Sequence, residues 1–233
     1  VADFILRQWR AWAPGLSVID DRLLAYGNTA VPKHVPKMLQ RRLTPLARAV
    51  INVADPCLGN GKTLPVVFSS AHGEICKSLA MLNAIQAGHE LSPTAFSLSV
   101  HNAIAGLFSI AYGNSQEITV IAPGQEGIAP AFIEALGLLH EGADEVLVML
   151  YDEPIADFYP VAPFNLNAFF PCVLGLSMAL SGVGQALALH RSAQSRDDGE
   201  HPVQLSSFLR FLLAEERVLN LGNRGHSWTW QKK

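Results

Sequence analysis

The residues able to do covalent or acid–base chemistry are few and dispersed along the chain. Cys76 lies one helical turn after His72, so on a helix the thiol and the imidazole would share a face and could form a nucleophilic pair. His72 and His101 each stand where a strand or loop runs into a helix, a place where anion binding and shifted ionisation are common. Histidines at such junctions more often cap or pack. Neither has a second ligand at metal spacing, so no metal and no cofactor is expected. Gly175-Leu176-Ser177-Met178-Ala179 approaches a nucleophile elbow but lacks its closing glycine and a following helix, which leaves a core serine as the ordinary reading. There is no H-E-x-x-H, no phosphate-cradling G-x-x-x-x-G-K and no G-x-G-x-x-G after a strand.

The elements that would position these groups read as an alternation of strands and helices. Phe4 to Ser17 suggests a short strand running into a turn at Pro14-Gly15, and a polar loop follows to about Pro36. From Met38 to Val53, Leu39, Leu43, Leu46 or Ala47, and Val50 recur at helical spacing, with basic residues elsewhere on the wheel. Pro65 to Phe68 reads as a buried strand and Gly73 to Ile85 as a helix ended by Gly88. Asn102 to Ala111 is apolar all round, which predicts a helix enclosed on every side and stopped at Gly113. Ile118 to Ala122 predicts a buried strand, Gly127 to His140 a helix, and Val146 to Tyr151 another buried strand. A loop through Phe170, strands near Val173 to Leu180 and Gln185 to His190, an exposed loop from Ser192 to His201 and a helix from Val203 to about Arg217 complete the chain. Connections too long for hairpins argue for an α/β fold whose helices cover a mixed, mostly parallel sheet.

The composition narrows the function classes. Of 233 residues, 49% are hydrophobic and 16% charged, with a net charge of −3. Soluble domains usually carry about 25% charged residues, so a large apolar face is expected to meet another chain. A near-neutral chain with no basic stripe does not attract nucleic acid. Three cysteines, Cys57, Cys76 and Cys172, with no C-x-x-C pair predict a reducing, cytoplasmic setting. The first residue is Val rather than Met, and Asp3, Arg7 and Arg10 leave no signal-peptide core. The long uncharged stretch from Phe158 to Leu189 is broken by Pro160, Pro163, Pro171, Gly182 and Gly184, which argues against a membrane span.

Between about Leu64 and Glu153 a family resemblance emerges. Ser92-Pro93, then Asn102-Ala103-Ile104-Ala105-Gly106 and Tyr112-Gly113, then Gly142-Ala143-Asp144 before an apolar run, resemble in order and spacing the ketosynthases of the thiolase superfamily. The resemblance implies a thiolase-like α/β fold, with residues 1–233 forming a single domain equivalent to the N-terminal half of a ketosynthase. Counting from Tyr112-Gly113 and back from Gly142 places Gln125 where that family has its nucleophilic cysteine, and one alternative alignment places Gly124 there, equally without a nucleophile. A glutamine amide cannot form the acyl thioester that condensation needs. Gln125-Glu126-Gly127 is instead similar to the pattern of chain-length factors, and the family's second-half histidine motifs have no counterpart in His190, His201 or His226.

The resemblance therefore implies a catalytically silent chain-length factor that pairs with a full-length, active ketosynthase, as in aryl polyene, polyketide or fatty-acid-like biosynthesis. Ile118, Thr119, Val120, Ile121 and Ala122 would form the strand that crosses the dimer axis, and Thr94, Ala95 and Phe96 would gate the partner's acyl tunnel. An acidic acyl carrier protein would be met through the complex. Lys37, Arg41, Arg42 and Arg48 offer it a basic helix face, although a solvated face is the ordinary reading. Two other readings stand beside this one. One is a malonyl-thioester decarboxylase of the glutamine type. The other is an unrelated acyltransferase or hydrolase using Cys76 or Ser177.

Overall fold

The computed structural model describes residues 1–25, 31–59, 61–155 and 168–233. Its strands are β1 (Ala2–Trp12), β2 (Val66–Ser69), β3 (Ile118–Ile121), β4 (Val146–Asp152), β5 (Cys172–Ala179), β6 (Gln185–Ser192), β7 (Val218–Asn223) and β8 (His226–Lys232). Its helices are α1 (Lys37–Gln40), α2 (Pro45–Leu58), α3 (Ile75–Gln86), α4 (Pro93–Ser97), α5 (Ala103–Tyr112), α6 (Ala129–His140) and α7 (His201–Leu213). The expected loop over 156–167, with Pro160 and Pro163, and positions 26–30 of the first polar loop lie outside the described residues.

The strands form one eight-stranded mixed sheet in the order β3-β2-β4-β5-β1-β6-β8-β7. The mixed α/β class expected from the sequence is found, but the parallel part is smaller than predicted. Among the described strands β2 pairs in parallel with β3 and with β4, and the other strand pairings are antiparallel. Long connections were legible only around β2, β3 and β4, where helices cross between parallel strands.

Alternate residues of the central strands feed two cores. Val146, Val148 and Leu150 of β4 join Leu174, Leu176 and Met178 of β5 against α6 and α7. Leu147, Met149 and Tyr151 face the other way, against α2 and α5. Every residue of β4 is buried, which explains its unbroken apolar run. On the first face Phe132, Phe208 and Trp230 pack with ring centroids 5.2 to 5.6 Å apart.

Several local expectations are corrected. The single helix predicted from Met38 to Val53 is two, because Thr44 and Pro45 restart it: Thr44 Oγ1 accepts from Ala47 N at 3.0 Å, and Pro45 occupies the first turn. Helix α2 then runs through Pro56, and Gln8 of β1 donates its side-chain amide to the Pro56 and Cys57 carbonyls at 3.1 and 2.8 Å. Helix α5 ends on left-handed Gly113 as predicted, yet it is not enclosed on every side, since Ile110 is 65% exposed. Strand β3 is half-buried rather than buried, and Ala122 lies exposed beyond its end, because β3 is the edge of the sheet. Helix α7 stops at Leu213. Beyond it the chain forms a hairpin, β7 to β8, turning through Arg224 and Gly225 at positive φ.

Candidate functional site

The turn that leads from β3 into α6 carries Gln125, and each residue of Gln125-Glu126-Gly127 meets a different environment. Gln125 is exposed. Glu126 reaches the C-terminal hairpin: Oε1 lies 2.5 Å from His226 Nδ1, and Oε2 accepts from Trp228 Nε1. Burial opposes ionisation of Glu126, but these two bonds outweigh it and hold the carboxyl below its ordinary range. Gly127 has φ +60°, and a Cβ built there would stand 1.9 Å from Gln204 Oε1. The buried amide at this turn is therefore Gln204 of α7. It accepts from Ile128 N at 3.3 Å and donates to Gly199 O at 2.8 Å, so it caps α6 from a distance of 76 residues in sequence.

The candidates His72 and His101 come together with a group that the sequence did not flag. Asp152, fully buried at the end of β4, accepts from Ser70 Oγ at 2.8 Å, from the backbone N of Ala71 and His72 at 3.2 Å each, and lies 2.5 Å from His201 Nδ1. His101 Nε2 lies 2.8 Å from the Ser70 carbonyl, and Gly73 sits against the same ring. Burial raises the Asp152 pKa, yet His201, His72 and the Ser70 hydroxyl together bring it below the ordinary range. Ser70 Oγ donates to a carboxylate and accepts from Gly73 N at 2.7 Å, so its hydroxyl is committed to holding the turn. The cluster ties β2, β4 and α7 together at the carboxyl ends of the parallel strands. Only the fold makes Asp152 and His201 neighbours, since 49 residues separate them.

The nucleophile candidates are not activated. Cys76 lies exposed on α3, and partial desolvation together with the neighbouring carboxyls of Glu153 and Glu74 pushes its thiol up to about 12. Burial raises Cys57 to about 12 and raises Cys172 as well. Ser177 is buried in the middle of β5 and bonds to Glu145. Gly175 of the elbow-like run has a packing role: a Cβ there would lie 2.9 Å from Val53 of α2. No group of three or more His, Cys, Asp or Glu placed to hold a metal occurs among the described residues.

The tunnel candidates Thr94, Ala95 and Phe96 form α4, a short helix started by Ser92 and Pro93, and Phe96 is 63% exposed. Helices α3 and α4 bury none of their residues fully, and Leu82, Ile85, Leu91 and Val100 of this excursion also face outward. The predicted basic face does not form as one surface. Arg48 turns back to the Gln40 carbonyl at 2.6 Å, whereas Arg41 and Arg42 open onto a groove that Thr94 and Ala95 also line. No helix among the described residues is long and apolar enough to cross a membrane.

Comparison with known proteins agrees with this geometry. The family described as beta-ketoacyl synthase, N-terminal domain, matches residues 9–231, far beyond the stretch where its motifs were legible. A chain from the structure of a ketosynthase in complex with its chain length factor, from Xenorhabdus doucetiae, superposes with a TM-score of 0.77 at 22% identity, covering 99% of this chain and 100% of that one. A beta-ketoacyl synthase from Burkholderia phymatum superposes with a TM-score of 0.51 at 11% identity, covering 72% of this chain and 53% of that one. No curated protein sequence matches significantly.

Proposed function

Given that the chain belongs to the beta-ketoacyl synthase N-terminal-domain family, we propose that it is a non-catalytic chain-length factor that pairs with an active ketosynthase and shapes the tunnel in which the partner grows its acyl chain. The observation that carries this reading is the outer edge of β3, which pairs with no other strand among the described residues and leads directly into the turn of Gln125, the position where the family resemblance implies a glutamine for the nucleophile. An edge strand with free N–H and C=O groups adds to a partner's sheet by backbone hydrogen bonds, and Ile118 to Ala122 offers that edge. The similarity to a chain from a ketosynthase–chain length factor complex supports the same arrangement. The aryl polyene, polyketide or fatty-acid-like setting, and the meeting with an acyl carrier protein through the complex, follow from the family resemblance.

The unrelated hydrolase is overturned by the family match, and the raised thiols and buried Ser177 agree with that. Co-expression with a full-length ketosynthase, followed by size exclusion and mass analysis, tests the proposal. A one-to-one complex is expected, and Val120→Pro should abolish it by removing an edge donor. A well-behaved monomer that ignores the ketosynthase would overturn the reading.

A further inference from the structure

The groove between the turn after α1, α3 and α4 has a volume of about 520 Å³, within the range of small-molecule sites. Ala80, Met81, Ala84, Leu91, Ala95 and Leu98 give it an apolar lining. Three cations, Arg41, Arg42 and Lys77, stand on its border with one carboxylate, Glu90. Lys77 is neutralised by Glu74 at 2.8 Å. Among the described residues neither Arg41 nor Arg42 is in an ion pair, so two guanidinium groups remain open beside an apolar trough. A guanidinium pair favours a carboxylate, which it can grip bidentately, and the trough favours hydrocarbon.

We propose that this groove binds an unesterified acyl chain, with its carboxylate on Arg41 and Arg42 and its hydrocarbon against α3 and α4. The ligand class is distinct from the growing acyl thioester of chain elongation, because a long-chain acyl thioester has no carboxylate to offer the two arginines. Binding belongs to this chain itself and goes beyond the partner-subunit reading.

Calorimetric or fluorescence titration of the full chain with dodecanoate, below its critical micelle concentration and at low salt, tests the proposal. Dodecan-1-ol, with the same tail and no charge, is the control. Saturable one-to-one binding of the acid is expected, at least tenfold tighter than that of the alcohol. Arg41→Ala combined with Arg42→Ala changes only exposed residues and should weaken the acid at least tenfold while leaving the alcohol unchanged. Ala84→Phe should weaken both. Equal affinity for acid and alcohol, no effect of the double arginine variant, or no binding by the folded chain would each overturn the proposal. Measuring ketosynthase pairing with the same variants keeps the two readings separable, because a failure to pair leaves the titration result standing.

Discussion

At the turn between β3 and α6, Glu126 is held by His226 and Trp228 and Gly127 is confined by Gln204, so the backbone around Gln125 is fixed without help from the Gln125 side chain. Because that amide is exposed and the thioester chemistry is assigned to the partner, Gln125→Ala should leave elongation by the complex within about twofold of wild type. Steady-state turnover of the assembled complex measures this, and a loss above a hundredfold with the complex intact would favour the decarboxylase. Gln204 is the residue whose loss should be felt. Gln204→Leu keeps most of the volume but leaves Ile128 N and the Gly199 carbonyl without their partner, at a cost of about 1–3 kcal/mol in chemical denaturation.

At the level of elements, the α3–α4 excursion carries the residues that the family resemblance implies as a gate. Helix α4 is only five residues long, presents Phe96 outward, and turns Ala95 into the groove beside α3. If this surface closes the partner's tunnel, Ala95→Phe should shorten the products made by the complex without preventing assembly, because overfilling a formed tunnel costs about 1–3 kcal/mol. Mass spectrometry of the released chains checks it. An unchanged length distribution would move the gate elsewhere. The same element shows where pattern reading was blind. Ser92-Pro93 is a helix-start signal, but five residues carry too little periodicity to announce a helix.

For the molecule as a whole, three carboxyls among the described residues are held below their ordinary range. The Arg22 fork lowers Asp20 to about 2, with burial opposing it, while Asp152 is lowered by His201, His72 and Ser70, and Glu126 by Trp228 and His226. A carboxyl whose folded pKa lies below its unfolded value of about 4 contributes stability that is full above that value and is lost as pH falls through the folded pKa. Thermal melting should therefore be level just above pH 5 and fall steeply below about pH 4. Asp152→Asn should lower the melting temperature at neutral pH and flatten the acid fall, since the buried amide no longer titrates. Glu153, raised by burial, contributes with the opposite sign. A variant that retains the full acid slope would show that Asp152 does not govern it.

Hydrophobic periodicity and helix-stop glycines made β2, α3, α5, α6, β4 and the β3 segment legible, because those residues alternate or recur along one local element. Motif order between Ser92 and Asp144 also disclosed the family and the glutamine at position 125. Three things needed the tertiary structure. The sheet is mostly antiparallel because β4, β5, β1, β6 and β8 pair over separations that no local pattern encodes. The hairpin of β7 and β8 was hidden behind a helix extended too far, although Arg224-Gly225 ahead of a run with Trp228 and Trp230 at alternate positions carried its signal. The contacts of Asp152 with His201, Gln204 with Ile128, and Glu126 with His226 join residues 49, 76 and 100 positions apart. Sequence spacing determines what shares a face within one element, whereas the meeting of side chains from different elements is decided only when the sheet and its helices pack.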